Sequence, residues 1–123
     1  MSQLVDTNII IDYLRGHTKA MALIANLPAK PSVSVVSVCE LYAGAKSKRE
    51  EDRIARLLHG ATVLPISADI ARTGGQFIKH YVRSHGLDDF DALIAATAEI
   101  HHLTLVTLNV KLFPMFSRIK APY

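Results

Sequence analysis

The sequence predicts an α/β fold with three layers, in which a short central parallel sheet is flanked by helices on both faces. Two observations predict this class. Short apolar and β-branched segments alternate along the chain with longer segments that have the apolar spacing of helices. The helical segments fall between the strands, which is typical of a parallel sheet that helices cover on both sides. The 123 residues contain no repeat or linker, so we expect one domain over residues 1–123.

In the first half of the chain, helix-stopping and β-branched residues define the elements. Gly16 and Pro28 end two helical segments, and Gly60 ends a later one. The short segment 33–36 is rich in valine, which predicts a strand. The predicted order is a strand ending at 4–5, helices at 7–15 and 18–27, a strand at 33–36, and helices at 37–46 and 49–59.

The second half contains the longest helical pattern. Gly74 and Gly75 weaken this pattern, and Gly86 closes it. An alanine-rich helix follows. The predicted order is a strand at 62–65, helices at 67–85 and 88–102, a strand at 103–107, and a short final strand at 117–120.

Composition and charge exclude several classes of protein. Half of the residues are hydrophobic and 20% are charged, which excludes a disordered chain. No apolar segment approaches the roughly 20 residues of a membrane span, and no secretory signal is visible, so we expect a cytoplasmic protein. The one cysteine, Cys39, lies among apolar residues and is expected in the core. The net charge of +3 is compatible with a polyanionic partner.

Three acidic residues that are far apart in the sequence lie in apolar surroundings. Asp6 follows the first strand, while Glu40 and Asp91 lie in apolar helical segments. A carboxylate among aliphatic side chains is costly unless it is paired, so three of them suggest one shared cation. Carboxylate oxygens are the ligands that Mg²⁺ and Mn²⁺ prefer. These residues predict a metal-dependent hydrolase that activates water.

The expected sheet topology supports a shared site. Ligands of open parallel sheets gather beyond the carboxyl ends of the strands. Asp6, Ser37, and the pair Thr107 and Asn109 each follow or end a predicted strand. We therefore expect these side chains at one edge of the sheet.

Each acid also has an ordinary structural interpretation. Glu40 could complete a capping box with Ser37 at the start of a helix, although Gly44, one turn later, would leave room beside a functional carboxylate. Asp6 could cap the helix that follows it, with Asn8 placed to orient its carboxylate.

The acidic cluster before the alanine-rich helix allows two interpretations as well. Carboxylates are favoured at a helix N-terminus, which explains Asp88, Asp89 and Asp91 as a group. We expect one of Asp88 or Asp89 to cap the helix and Asp91 to face the pocket.

Other chemistry has weaker support. His101 and His102 are adjacent and face different directions on a helix, which argues against zinc. Segment 46–53 is rich in charged residues and is most simply a solvated turn and helix start. Phosphate binding is a second interpretation for three of its residues, which are Lys46, Lys48 and Arg49.

Four motifs together resemble those of a known family. They are Leu4-Val5-Asp6-Thr7-Asn8, Ser37-x-x-Glu40-Leu41-x-x-Gly44, Asp91-Ala92-Leu93-Ile94-Ala95-Ala96-Thr97-Ala98, and Leu105-Val106-Thr107-x-Asn109-x-x-x-Phe113. In motif order and spacing, the chain resembles the PIN-domain ribonucleases, and in particular the VapC toxins of type II toxin–antitoxin systems. The resemblance spans nearly the whole chain and implies a PIN-like domain.

The resemblance implies an endoribonuclease that depends on Mg²⁺ or Mn²⁺ and cuts structured RNA of the tRNA or rRNA class. Asp6, Glu40 and Asp91 match the acidic triad of the family, and Thr107 matches its small hydroxyl residue. The fourth acidic position falls at Asn109, which carries no charge and leaves open whether one or two metal ions bind.

The resemblance also implies partners. They are an RNA substrate, a second copy of the chain in a homodimer, and a cognate antitoxin that blocks the pocket, with no role for a membrane. Ile10, Leu14 and Tyr42 are candidates for antitoxin docking, with core packing as the alternative for each. Asp88 or Asp89 could compensate for the charge that Asn109 lacks.

The sequence leaves two other functions open. A non-catalytic PIN-like module that binds RNA or a protein is the main alternative, and the uncharged Asn109 gives it some support. A phospho-acceptor receiver domain would need an aspartate at the end of the third strand. The segment 63–67 contains no acid, so the receiver domain is the least favoured of the three hypotheses.

Overall fold

The computed structural model describes residues 2–123 and contains a four-stranded sheet in which all neighbouring strands are parallel. The strands are β1 (Gln3–Val5), β2 (Ser32–Ser34), β3 (Thr62–Leu64) and β4 (Thr104–Val106). The helices are α1 (Thr7–Leu14), α2 (Thr18–Ala25), α3 (Val35–Gly44), α4 (Lys48–His59), α5 (Ala68–His85) and α6 (Asp89–Ile100), and a 3₁₀ turn follows at Val110–Leu112. The predicted α/β/α class with a parallel sheet is confirmed.

The order of the strands in the sheet is β3-β2-β1-β4. The first and last strands of the chain are therefore neighbours, with Leu4 beside Leu105 and Val5 beside Val106. Because the strands are parallel, their carboxyl ends meet at one edge of the sheet. Residues that directly follow β1 and β4 are brought together there although about a hundred residues separate them in the sequence.

Two apolar clusters cover the two faces of this sheet. Leu4 packs with α6 and with Phe113 on one face, where side chains of α5 complete the cluster. Val5 packs with Ile9 of α1 and Ile54 of α4 on the other face. Successive residues of a strand point to opposite faces, which explains why Leu4 and Val5 belong to different clusters.

Two helices end where their sequences predict. Gly16 follows α1 with a φ angle of +81°, and Gly86 follows α5 with a φ angle of +68°. Both angles lie in the left-handed region, which glycine adopts at little cost. Among residues 2–123, no helix combines the length and the apolar character needed to cross a lipid bilayer.

The predicted boundary between the second strand and the third helix is wrong. The strand ends at Ser34, and Val35 and Val36 belong to α3. The Ser34 hydroxyl accepts a hydrogen bond from the Val36 backbone N–H at 3.1 Å and so caps the helix. This side-chain cap outweighs the β preference of the two valines.

Two further predictions are wrong. Residues 117–120 form no strand, because this segment follows the 3₁₀ turn as irregular chain and packs Ile119 against the core cluster of Leu4. Cys39 is exposed on the outer side of α3, whereas the neighbouring helical positions Val36 and Leu41 take the buried side.

Candidate active site

Asp6 occupies the centre of the edge where the strands end. It follows β1, caps α1 and is only 4% exposed. Its Oδ1 atom accepts a hydrogen bond from the Thr7 backbone N–H at 2.7 Å, and its Oδ2 atom accepts one from the Thr107 hydroxyl at 2.6 Å. Asp6 therefore caps α1, as the sequence suggested. Thr107, which follows β4, also fixes this carboxylate.

The surroundings of Asp6 disfavour its charge. Burial is the largest effect and raises the pKa of its carboxyl, and the charge of Asp88 adds to this rise. The two hydrogen bonds, from the Thr107 hydroxyl and the Thr7 backbone, lower the pKa and offset part of it. A nearby cation would favour the ionised form of this buried group.

Thr107 supports Asp6 from the end of β4 and is itself almost completely buried. Its hydroxyl donates a hydrogen bond to Asp6. It accepts two others, one from the Asn8 side-chain nitrogen at 3.5 Å and one from the Asn109 backbone N–H at 3.0 Å. One donated and two accepted hydrogen bonds use the full capacity of a hydroxyl group. Asn8 thus acts on Asp6 through Thr107 and does not contact the carboxylate directly.

Asn8 and Asn109 differ in their surroundings. The Asn8 side-chain oxygen accepts a hydrogen bond from the Leu108 backbone N–H at 3.4 Å, so this residue ties α1 to the segment after β4. Asn109 is exposed at the start of the 3₁₀ turn, and its side chain forms no cap there. Its backbone, and not its amide group, contributes to the hydrogen bonds around Asp6.

Glu40 is held by a residue that the sequence did not single out. The Thr7 hydroxyl lies 2.7 Å from Oε1 of Glu40 and 2.7 Å from the hydroxyl of Ser37, which is fully buried. Ser37 lies inside α3 rather than at its start, so the capping-box interpretation of Ser37 and Glu40 is wrong. Glu40 faces Thr7 of α1 and not the N-terminus of its own helix.

Thr7 consequently links two acids. Its backbone N–H binds Asp6, and its hydroxyl binds Glu40. Since the hydroxyl has one hydrogen, it can donate to the Glu40 carboxylate while it accepts from Ser37. The sequence contained one signal for this residue, namely its place directly after Asp6.

Asp91 lies in the first turn of α6, and Asp88 caps that helix. Oδ1 of Asp88 accepts a hydrogen bond from the Asp91 backbone N–H at 2.7 Å. This confirms that one of Asp88 or Asp89 is the cap. Asp89 is exposed in the same turn.

The pKa of Asp91 is raised from 3.8 to about 7. Burial is the largest cause, followed by the charge of Asp88 and a hydrogen bond between the two side chains. The charges of Asp6 and Glu40 raise the pKa further. Carboxylates from α1, α3 and α6 therefore lie close enough to influence the proton affinity of one group.

These side chains offer the donor set of a hard cation, which is carboxylate oxygen without histidine or thiolate. Within residues 2–123, no group of three or more acidic, histidine or cysteine side chains is arranged to hold a metal ion. Mg²⁺ commonly binds one or two carboxylates and keeps several waters, so it needs no complete protein shell. Burial, followed by the neighbouring carboxylates, raises the pKa of Asp91, and a bound cation would favour its ionised form.

The stability of the metal-free protein provides a test of the raised pKa of Asp91. The folded state binds a proton at Asp91 with a pKa near 7, against an ordinary value of 3.8. Its contribution to stability is therefore complete below pH 3.8 and is lost as the pH rises through about 7. We expect Asp91→Asn, which cannot ionise, to melt at a higher temperature than the wild type at pH 8, with a smaller difference at pH 5.

Thermal melts of both proteins in a chelator, at the two pH values, measure this effect. Groups distant from Asp91 titrate equally in both proteins, so the difference between the two melting temperatures reports on Asp91 and the carboxylates coupled to it. A difference that does not change between pH 5 and pH 8 would contradict the raised pKa.

The three basic residues suggested for phosphate binding lie in different settings. Lys48 is exposed and forms an ion pair with Asp52 at 2.7 Å on α4. Arg49 is exposed on the same helix. Lys46 lines a cleft that also contains Glu40, together with two arginines that the sequence analysis missed, Arg15 and Arg53.

Comparison with known proteins gives a consistent family assignment. Residues 4–120 match the PIN domain family. Ribonuclease VapC10 of Mycobacterium tuberculosis is 41% identical over 98% of this chain and 92% of its own length. Ribonuclease VapC19 of the same organism is 38% identical over 98% of this chain and 99% of its own length.

A solved structure agrees with the sequence relatives. A chain in a toxin–antitoxin complex from Klebsiella pneumoniae superimposes with a TM-score of 0.87 and 34% identity, covering 99% of this chain and 98% of that one.

Proposed function

Because this chain belongs to the PIN-domain family, with ribonucleases of the VapC group as relatives, we propose that it is a divalent-metal-dependent endoribonuclease and the toxin of a type II toxin–antitoxin pair. One observation carries the proposal. Thr7 forms hydrogen bonds with both Asp6 and Glu40, and the charges of these two acids help to raise the pKa of Asp91, although the three acids are far apart in the sequence. Among residues 2–123, none of these acids forms an ion pair, and a group of acids without a cationic partner is typical of a site that binds a cation.

In this proposal, Asp6, Glu40 and Asp91 surround Mg²⁺ or Mn²⁺, which one or two of them bind directly and the rest through bound water, and Asp88 supplies further negative charge. When bound, the cation makes water a better nucleophile and offsets the negative charge that builds up on the phosphate. Thr107 orients Asp6, Thr7 orients Glu40, and Ser37 completes the hydrogen bonds of Thr7. The chain itself therefore fixes the positions of Asp6 and Glu40 before a substrate arrives.

The proposed substrate is structured RNA of the tRNA or rRNA class. A net charge of +3 favours a polyanion, although the site itself is acidic. The cation reconciles these two features, because it can lie between the carboxylates and a phosphate.

The proposed partners are a cognate antitoxin and a second copy of this chain, in the cytoplasm. The structural likeness to a chain from a toxin–antitoxin complex supports the antitoxin. Of the three docking candidates, Ile10 is buried in the core, Leu14 is partly buried beside the cleft, and Tyr42 is 38% exposed. Tyr42 and Leu14 are therefore the better candidates, and Ile10 has a packing role.

The alternative is a binding module that does not cut RNA. The exposed and uncharged Asn109 favours it, since this residue brings no charge to the fourth acidic position. Calorimetry with Mn²⁺ separates the two functions, because a module without a catalytic site has no need of the cation. Absence of Mn²⁺ binding together with retained RNA binding would favour the module.

Cleavage of folded tRNA and rRNA fragments by the purified chain tests the proposed function. We expect cleavage with Mg²⁺ or Mn²⁺ and none in a chelator. Attack by water does not use the ribose hydroxyl, so 2′-O-methylation at the cut site should leave cleavage intact. Products that end in a 2′,3′-cyclic phosphate would contradict this mechanism.

Thr7 provides a more specific prediction. Thr7→Val keeps the shape of the side chain but removes the hydroxyl that binds Glu40. We expect cleavage to fall by about 10-fold to 100-fold, the usual range for residues that orient a metal ligand, and Mn²⁺ affinity to fall with it. Cleavage assays and Mn²⁺ calorimetry measure the two effects.

Thr7→Ser is the matched control, because it keeps the hydroxyl. It should retain most of the activity and of the Mn²⁺ affinity. A purely structural role would instead lower the stability of Thr7→Val and leave the metal affinity of the folded protein unchanged.

A further inference from the structure

A cleft of about 280 Å³ opens beside Glu40, between α1, α3 and α4. Its apolar side is formed by the buried residues Leu41 and Ile54, together with Leu14. Its volume is near the lower end for small-ligand pockets, about 300 Å³. It is thus suited to a group the size of a single nucleotide rather than to a whole helix, which is about 10 Å across.

Three cations line the same cleft, and these are Arg15, Lys46 and Arg53. Arg53 donates a hydrogen bond to the backbone oxygen of Leu14, which holds its guanidinium group at the rim. The carboxylate of Glu50 also lines the cleft, but it accepts a hydrogen bond from the backbone N–H of Lys46. The cleft therefore combines an apolar floor with a basic rim.

Gly44 keeps the cleft open. It lies one turn after Glu40 on α3, so the two residues share a face of the helix. A Cβ atom added at Gly44 would meet nothing within 4 Å. The absence of a side chain is therefore not required by packing, and its effect is to leave space next to the acidic site.

We propose that this cleft binds the nucleotide next to the scissile phosphate of the RNA, with a phosphate on Arg15, Lys46 and Arg53 and the base against Leu41 and Ile54. The inference rests on the proposed ribonuclease function. Unstacked bases on apolar surfaces and phosphates on cations are the usual means of binding single-stranded RNA. Because Glu40 lines the cleft, such a nucleotide would lie beside this acid.

Filling the cleft tests this site. Gly44→Leu places a side chain in the open space, while Gly75→Leu is the matched control, since Gly75 lies in α5 and its added Cβ also meets nothing within 4 Å. We expect Gly44→Leu to raise KM for a short single-stranded RNA by about tenfold, as for the loss of one base contact. Gly75→Leu should match the wild type.

Binding without cleavage supplies a second measurement. In an Asp6→Asn background, the affinity for the same oligonucleotide is followed by fluorescence anisotropy at several salt concentrations. Arg15→Gln should weaken binding and reduce the slope of log affinity against log salt by about 0.7, the value for one phosphate contact on a single strand. Arg72→Gln is the control, because Arg72 is exposed on α5 and paired with Asp69.

The outcomes distinguish the two proposals. Unchanged KM and affinity in both Gly44→Leu and Arg15→Gln would overturn the cleft assignment while the ribonuclease function stands. The same holds if these variants cut RNA normally but no longer bind the proposed antitoxin, because a protein segment would then occupy the cleft. If the wild type cuts no RNA but the variants bind the oligonucleotide more weakly, the cleft is an RNA-binding site and the ribonuclease proposal fails.

Discussion

Asp6→Asn is expected to reduce RNA cleavage by at least about 100-fold while the protein remains folded. The substitution preserves the shape of the side chain but removes the charge that would bind the cation. Asparagine keeps one accepting oxygen and replaces the other with an amide nitrogen, so it loses one of the two hydrogen bonds of Asp6. The raised pKa of Asp6 nevertheless indicates that loss of the charge itself is tolerated in the metal-free protein. Initial rates in Mg²⁺ and in Mn²⁺ measure the loss, and thermal melts check the fold.

Asp12→Asn is the matched control for this experiment. Asp12 lies on the same helix, but it accepts a hydrogen bond from the Tyr123 hydroxyl at 2.6 Å and takes no part in the site. Cleavage by Asp12→Asn should stay within a factor of about three of the wild type, since a distant pair contributes little to the reaction. Wild-type rates for Asp6→Asn would exclude the proposed role of Asp6.

Phe113→Ala is expected to lower the free energy of unfolding by about 3–5 kcal/mol. Phe113 is fully buried and packs with Leu4 and Leu105, which belong to the two neighbouring strands that deliver Asp6 and Thr107. Its removal would leave a large cavity directly beneath the site. Urea denaturation at pH 7 in a chelator measures the change without a contribution from bound metal.

Phe90→Ala provides the comparison on the surface. Phe90 is 44% exposed, so its truncation should cost less than about 1 kcal/mol. A cost for Phe113→Ala as small as that for Phe90→Ala would mean that the segment after β4 is not anchored in the core. Activity of Phe113→Ala is expected to fall as well, because the position of Thr107 depends on the same packing.

The fold class and most elements follow from the sequence because they have local causes. Glycines at the ends of α1, α4 and α5 and the apolar patterns of the helices are visible in a single segment. The boundary at Ser34 was missed because two serines, Ser34 and Ser37, precede the same helical pattern. Which serine caps the helix depends on the end of the strand pairing, and that is set by β3 and β1.

The site could be predicted only in part, for a related reason. A carboxylate within an apolar segment is visible in the sequence as an unusual residue. Asp6, Glu40 and Asp91 were identified in this way. The contacts that fix them join residues that are 33 and 101 positions apart, as between Thr7 and Glu40 and between Asp6 and Thr107. A threonine has no local pattern that distinguishes such a role from an ordinary helix position.

The cleft residues Arg15 and Arg53 were missed because arginines are scattered along the whole chain. Their common position depends on the packing of α4 against α1 and α3. The cap of α6, in contrast, could be predicted from the sequence. Capping by Asp88 depends only on residues of the helix and of the turn before it.

The adjacency of β1 and β4 bears on how the polypeptide is made. A ribosome releases Asp6 101 residues before Thr107, yet the hydroxyl of Thr107 holds the carboxylate of Asp6. A nascent chain whose residues 104–107 are still inside the ribosome lacks the edge strand β4. It also lacks the hydroxyl that supports Asp6. The proposed site can therefore assemble only after residues 104–107 have left the ribosome and β4 has paired with β1.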